Sequence, residues 1–309
     1  MRIFKGMYSL HPSRFKNPVV TIGVFDGFHL GHRLVVETLI KRAKRDEGES
    51  VVLTFQTHPK AFLSGSAPKQ IMSLPHRLLC LERAGVDTCI VTKFDRSLAV
   101  MSSARFVEEV LISKIGVKGL VLGFDSSFGK NNEGNADFVR KNYPQIPVTL
   151  CDKVTVGGIT PSSSLIRELI IAGKIKDAAQ LLGHPVSFYG EVVEGSKRGA
   201  ALGFPTANII PDNEALPPAG VYGGETILAD GSIFPSIVNV GIRPTFEDTT
   251  NTIIEVHILD FSRTLYGEKI EVELHEFIRK ERKFKTDAEL SSQIRTDIEK
   301  FKKMLPIRK

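Results

Sequence analysis

Between Val19 and Gly183 the chain alternates short apolar runs rich in β-branched residues with longer stretches whose apolar positions recur every three or four residues. VVTIGVF is followed by RLVVETLIKRAKR and SVVLTF, and VDTCIVTKF by SSARFVEEVLISKIG, KGLVLGF and IPVTLCD. The short runs read as strands and the longer stretches as amphipathic helices. Strands separated by helix-length segments need right-handed crossovers, so this part is expected to form an α/β domain around a mostly parallel sheet. Ligands of such sheets sit beyond the carboxyl ends of the strands.

After His184 the pattern changes. SFYGEVVEG, TANII, VYGGETILADG, SIVNVG, NTIIEVHILDF and KIEVELHEFI alternate with period two and are broken by glycine and proline. They predict a compact antiparallel β-barrel or sandwich. One terminal helix, DAELSSQIRTDIEKFKKML, is started by the capping box Thr286-Asp-Ala-Glu289. The division expected is 1–183 and 184–309, and 309 residues suit about two domains of ~100–200 residues.

Composition narrows the setting. A hydrophobic content of 42% with 25% charged residues excludes a disordered chain. No apolar run approaches the ~18 residues of a membrane span, and the opening MRIFKGMYSLHPSRF has no signal-peptide core. The expectation is a cytoplasmic protein without a membrane partner. Cys80, Cys89 and Cys151 are widely spaced and odd in number, which predicts buried free thiols rather than disulfides or a zinc site. The net charge of +6 is carried in short runs interrupted by acids, with little aromatic interleaving. That argues against a nucleic-acid groove and for small phosphorylated ligands.

The densest chemistry in the first half is TIGVFDGFHLGH, Thr21 to His32. The strand delivers Asp26 to the carboxyl edge of the sheet, and Gly27 and Gly31 permit close backbone approach. A helix expected from Arg33 opens with unpaired N–H groups and a positive dipole end. This is an anion site, in which two histidines can donate to a phosphate and stabilise charge during phosphoryl or nucleotidyl transfer.

GVFDGFHLGH resembles the signature of the HxGH nucleotidyltransferases, in the form found in bacterial bifunctional riboflavin kinase/FAD synthetases. VVLTFQTHP, VLGFDSSFG and SSSLIR follow in the order of that family. The resemblance implies a Rossmann-like nucleotidyltransferase domain that adenylylates FMN. It implies that His29 and His32 contact ATP phosphates, with Gly23, Asp26, Gly31 and Asp125 in the nucleotide site. Ser162, Ser163 and Arg167 would complete that site from a second helix N-terminus. Three positions depart from the family pattern: Ser126 replaces an aromatic residue, Gln56-Thr57 an acid-proline pair, and Ser164 a threonine. By analogy with aromatic pairs, the lost stacking surface is expected to cost about 0.5–1.5 kcal/mol of FMN affinity.

In the second half, EGSKRGAALGFPTANI is a basic glycine-rich loop turning into Thr-Ala-Asn, suited to cover phosphates while a hydroxyl and an amide oxygen face a metal. It resembles the riboflavin kinase domain, which implies that Thr206 and Asn208 coordinate Mg²⁺ with ATP as co-substrate. Lys197 and Arg198 would supply the loop's charge, because Ala200 stands where the family commonly has arginine. In TIIEVHILDF the alternation puts Ile254, Val256 and Ile258 on one face and Glu255 and His257 on the other. A carboxylate there can take a proton from an attacking alcohol, and the resemblance makes Glu255 the catalytic base acting on riboflavin. HEFIRKERKF contributes Glu276 and Arg279 as flavin contacts on the same ground. The substrates expected are riboflavin, FMN and ATP. The alternatives are a kinase with a degraded N-terminal half, or a flavin-binding regulator that catalyses nothing.

Overall fold

A computed structural model describes residues 1–64, 67–195, 198–244 and 250–304. The chain divides into two compact units, one of residues 1–69 and 74–163, the other of 70–73 and 164–309.

The first unit is built on six parallel strands: β1 (Arg2–Lys5), β2 (Val19–Ile22), β3 (Ser50–Phe55), β4 (Thr88–Thr92), β5 (Gly119–Leu122) and β6 (Val148–Leu150). Their order is β1-β4-β3-β2-β5-β6. β3 and β4 are buried along their whole length, as continuous apolar runs covered on both faces should be. β1 was not expected from the pattern, because RIFK is short and mostly exposed; it adds to the sheet edge beside β4. Strand order reverses between β2 and β5, which lie side by side in the sheet and lead to β3 and β6 on opposite sides. Loops leaving the carboxyl ends of strands flanking such a reversal enclose a crevice. Cys89 and Cys151 are buried, Cys80 is only half-buried, against the expectation of a buried thiol, and none of the three forms a disulfide. Burial pushes the Cys89 thiol up to about 12.

The second unit is a closed barrel of β7 (Val186–Val193), β8 (Ala207–Ile209), β9 (Gly220–Ile227), β10 (Ile233–Pro244), β11 (Thr250–Ile258) and β12 (Lys269–Lys280), in the order β10-β11-β8-β7-β12-β9. Every pairing is antiparallel. Closure removes the free edges that six short strands would otherwise expose. Val192, Ile209, Val238, Val240, Ile254, Val256, Val272 and Leu274 fill the interior. The helix Ile175–Leu182, ended by Gly183 at φ +76°, packs on β7 and β12 within this unit.

The terminal helix Asp287–Lys302 is capped by Thr286, which accepts the Glu289 N–H at 3.2 Å as its capping box predicts, while Glu289 reaches past the cap to accept the Lys285 N–H at 3.0 Å. Phe301 joins Val221, Ile237, Leu259 and Ile278 in an apolar cluster on the outside of the barrel. Only glycine fits beneath it, since a Cβ on Gly223 would stand 2.1 Å from the Phe301 ring. Gly223→Ala is therefore expected to destabilise this unit by about 1–3 kcal/mol through overpacking, read as a lower midpoint in chemical denaturation.

Candidate active sites

At the carboxyl end of β2 the backbone turns sharply: Phe25, Gly27 and Phe28 have φ of +57°, +80° and +40°. The turn ends on His29, whose ring caps the helix Leu30–Arg45 by accepting the N–H of His32 at 3.4 Å. The helix thus begins three residues earlier than expected, and His32 lies in its first turn. Because Nδ1 of His29 accepts, its proton is on Nε2 when the ring is neutral. The two imidazoles are stacked with centroids 3.7 Å apart and planes at 18°, and Phe25 meets His32 edge-on at 5.2 Å. A Cβ on Gly31 would press on the His29 ring at 3.2 Å.

Ser163, the first residue of the helix Ser163–Ile171, donates its Oγ–H to the carbonyl of Asp26 at 2.9 Å. Arg167 stands one turn further along that helix. Beyond β5, Asp125 is exposed at the turn Gly123–Ser126, where Ser126 Oγ accepts the Gly123 N–H at 2.9 Å. The serine that replaces an aromatic residue thus closes its own turn.

The barrel holds a second constellation. Asn208 on β8 is the register partner of Glu255 on β11, Glu255 of Asn239 on β10, Asn239 of Val221 on β9, and Val221 of Arg279 on β12. Register partners on neighbouring strands point to the same face, so five strands present one row. Thr206, two residues before Asn208, projects on that face as well. The row opens on a cleft of about 680 Å³ lined by Thr206, Asn239, Glu255, Arg279, Phe284 and Leu290. The carbonyl of Pro205 can only accept, so His257 Nδ1 donates to it at 2.8 Å and fixes the peptide leading into Thr206. Asn208 Oδ1 and Asn239 Oδ1 are buried without a hydrogen-bond partner among the described residues.

A sheet reversal carrying the histidine turn and a barrel carrying Thr206, Asn208 and Glu255 occur here in one chain, and comparison with known proteins finds the same pairing. Residues 11–165 match the FAD synthetase family and residues 182–305 the riboflavin kinase family. The chain belongs to the bifunctional riboflavin kinase/FMN adenylyltransferase family. It is 35% identical over 305 residues to the bifunctional riboflavin kinase/FMN adenylyltransferase of Haemophilus influenzae, with 98% of each chain covered. With the protein of that name from Escherichia coli K12 it shares 32% over 300 residues, covering 96% of each. A crystal structure described as a macrolide-efflux protein from Streptococcus pneumoniae is similar with a TM-score of 0.84 at 30% identity, covering 98% of this chain and 99% of that one. Among the residues described here no helix is long and apolar enough to cross a membrane.

Of the positions the family resemblance pointed to, the structure gathers Gly23, Asp26, His29, Gly31, His32 and Ser163 at or beside one turn, and Thr206, Asn208, Glu255 and Arg279 on one barrel face. Glu276 is ion-paired with Lys176 and does not line the cleft. Lys197 lies outside the described residues, and of Arg198 only the backbone, at the start of a short helix, is described. Among the described residues, the grouping of acids and histidine that could hold a cation is Glu225, Glu273 and His275, separate from Thr206 and Asn208.

Sequence reading missed three side chains. Asn239 sits in the row, with a signal in the two-residue alternation of SIVNVG. Asp297 lies on the terminal helix and grips Arg279, accepting from Nε at 2.9 and 3.1 Å and from Nη2 at 2.8 Å, and it is only 2% exposed. Arg77, fully buried below the histidine turn, reads in PHRLLCLER as an ordinary helix-surface arginine.

Burial, the neighbouring His29 and the positive charge of Arg77, in that order, hold the His32 imidazole well below its usual 6.5. His32 is then neutral at pH 7. In histidine NMR it should stay neutral as pH falls through 6.5, where the unfolded chain takes up a proton. The stability His32 lends is complete above that value and is lost as pH drops toward its lowered folded midpoint, measurable by denaturation of this unit at successive pH values.

Proposed function

We propose that the chain carries out two successive steps of flavin-cofactor synthesis with ATP. The barrel, within 184–309, phosphorylates riboflavin to FMN. The α/β part, within 1–183, transfers AMP from a second ATP to the FMN phosphate, giving FAD and pyrophosphate. The reading places this chemistry in the cytoplasm, on small-molecule substrates, without nucleic acid or membrane. The observation that carries it is the register row, in which a carboxylate stands between two amides beside a threonine hydroxyl.

Glu255 accepts the proton of the ribityl 5′-hydroxyl as its oxygen attacks the γ-phosphorus. In-line displacement needs nucleophile and leaving group on opposite sides. Thr206 lines both the large cleft and a smaller one of about 180 Å³ that includes Pro205, Ala207, Phe261, Arg263 and Tyr266. Riboflavin is assigned to the large cleft, where Phe284, Leu290 and Ile294 offer apolar surface, and ATP to the smaller one with the loop containing Lys197 and Arg198. Arg279, held by Asp297, lines the flavin side; Glu276 is kept as an outer flavin contact. Thr206 and Asn208 are the residues to hold Mg²⁺: both give hard oxygen donors, and the buried Asn208 Oδ1 has no other hydrogen-bond partner. Bound there with ATP, the ion would offset charge growing on the phosphate oxygens.

In the α/β part, His29 and His32 donate to the phosphates and to the departing pyrophosphate. Gly23, Asp26 and Gly31 shape the turn, Asp125 borders the crevice, Ser162 and Ser163 close it, and Arg167 is kept as the nucleotide contact the family resemblance implies. No covalent intermediate is needed, since positioning and charge stabilisation suffice.

Chromatography of flavins after incubation with riboflavin, ATP and Mg²⁺ tests the whole reading: FMN should appear first and FAD after it. FMN without FAD would favour the kinase-only alternative, and no conversion would favour the regulator. Glu255→Gln should lower FMN formation by roughly 10²–10⁴-fold. His32→Ala should lower FAD formation from FMN by about 10²-fold, the loss typical of a preorganised donor, with riboflavin phosphorylation nearly unchanged.

A further inference from the structure

Arg77 lies on the helix Leu74–Arg83 and is 1% exposed. Its Nη1 donates to the Val24 carbonyl and, at 3.3 Å, to Thr54 Oγ1; its Nη2 donates to the Phe55 carbonyl at 3.1 Å. Thr54 Oγ1 itself donates to the Val24 carbonyl at 3.3 Å. Thr54 and Phe55 end β3, and Val24 follows the end of β2 by two residues; the two strands pair in the sheet. Val24 immediately precedes the turn in which Phe25 and Phe28 adopt positive φ. Such backbone is unfavourable for residues with a β-carbon and persists only where its surroundings hold it. The guanidinium also acts electrostatically on Asp26, inside that turn, and on His32. An isolated buried cation is costly, and three oxygens on the turn and the next strand are what make this one tolerable.

We propose that Arg77 is a positioning residue for adenylyl transfer: it clamps the Val24 carbonyl to the end of β3 and so holds the strained turn that presents His29 and His32 to the nucleotide phosphates. The proposal rests on the reading of that turn as the adenylyl-transfer site. Arg77 touches no reacting atom. It acts through the Val24 peptide by geometry and through space on His32 by charge. A lysine would keep the charge but lose the planar fork that reaches both strands at once.

The two contributions separate in the full-length protein with Arg77→Met and Arg77→Lys. FAD formation from FMN and ATP is measured as kcat and KM, riboflavin phosphorylation serves as a control in the same chain, and His32 is titrated by histidine NMR. Both variants should lose about tenfold or more in kcat, as expected for displaced catalytic groups, with riboflavin phosphorylation within twofold. The His32 midpoint should rise in Arg77→Met, where one of its depressing charges is gone, and stay in place in Arg77→Lys. Burial lowers the His32 midpoint most, followed by His29 and Arg77, and Asp26 in the same turn faces Arg77. Unchanged kcat in a folded Arg77→Lys overturns the clamp, and a His32 midpoint that ignores the loss of charge in Arg77→Met overturns the through-space contribution. If the methionine variant fails to fold, the lysine variant decides: a lower kcat with an unaltered thermal transition supports the clamp, and an unaltered kcat removes it. Should His32→Ala leave FAD formation intact as well, the fault lies with the site reading rather than with Arg77.

Discussion

The barrel's chemistry depends on strand register. Asn208, Glu255, Asn239, Val221 and Arg279 stand in one row because each is the register partner of the next across five strands. A shift of one residue on β11 would turn Glu255 into the core and Ile254 out of it. The apolar interior forbids that shift, since Ile254 and Val256 are completely buried. The same hydrophobic alternation that closes the barrel therefore aims the proposed base. Where the row reaches β12 the pairing with β9 is irregular, with shifts between Leu274 and Glu276 and between Phe277 and Arg279. Such irregularities re-aim side chains, and here Arg279 ends up facing the terminal helix.

That helix extends the row beyond the sheet. Asp297 is buried, and its carboxylate is satisfied by Arg279 and by Gln293 at 2.7 Å. Arg279 also faces the Phe284 ring at 5.6 Å, and Arg282 lies over the same ring at 4.7 Å. A buried carboxylate stripped of its arginine is costly, so the ion pair couples the seat of the helix to the shape of the cleft. The apolar contact of Phe301 with Gly223 anchors the same helix one turn further on.

The α/β unit uses a different device. Its anion site is a strained turn that no local preference would hold, because two phenylalanines adopt backbone suited to glycine. The strain is tolerated where the carboxyl ends of β2 and β3 and the Arg77 helix converge. A helix N-terminus supplies the positive field, and the His29 ring both caps that helix and stacks on His32. Burial above all, then the neighbouring His29 and Arg77, disfavours charge on His32 and keeps it a neutral donor.

The sequence by itself determined the layout. Period and length separated buried parallel strands from alternating barrel strands, a capping box marked the last helix, and two motifs located both sites. These signals are local: hydrophobic spacing, caps and turn residues are set by neighbours within a few positions. Tertiary structure alone decided what lies next to what across long separations. Ser163 reaches the Asp26 carbonyl, Asn239 enters the row, Asp297 takes Arg279, and Arg77 leaves an apparent surface position to become a buried clamp. Glu276, grouped by motif with Arg279, instead pairs with Lys176. An arginine or aspartate in an amphipathic helix gives no sign of its partner, because its burial is set by which backbone carbonyls or side chains the folded chain brings to it.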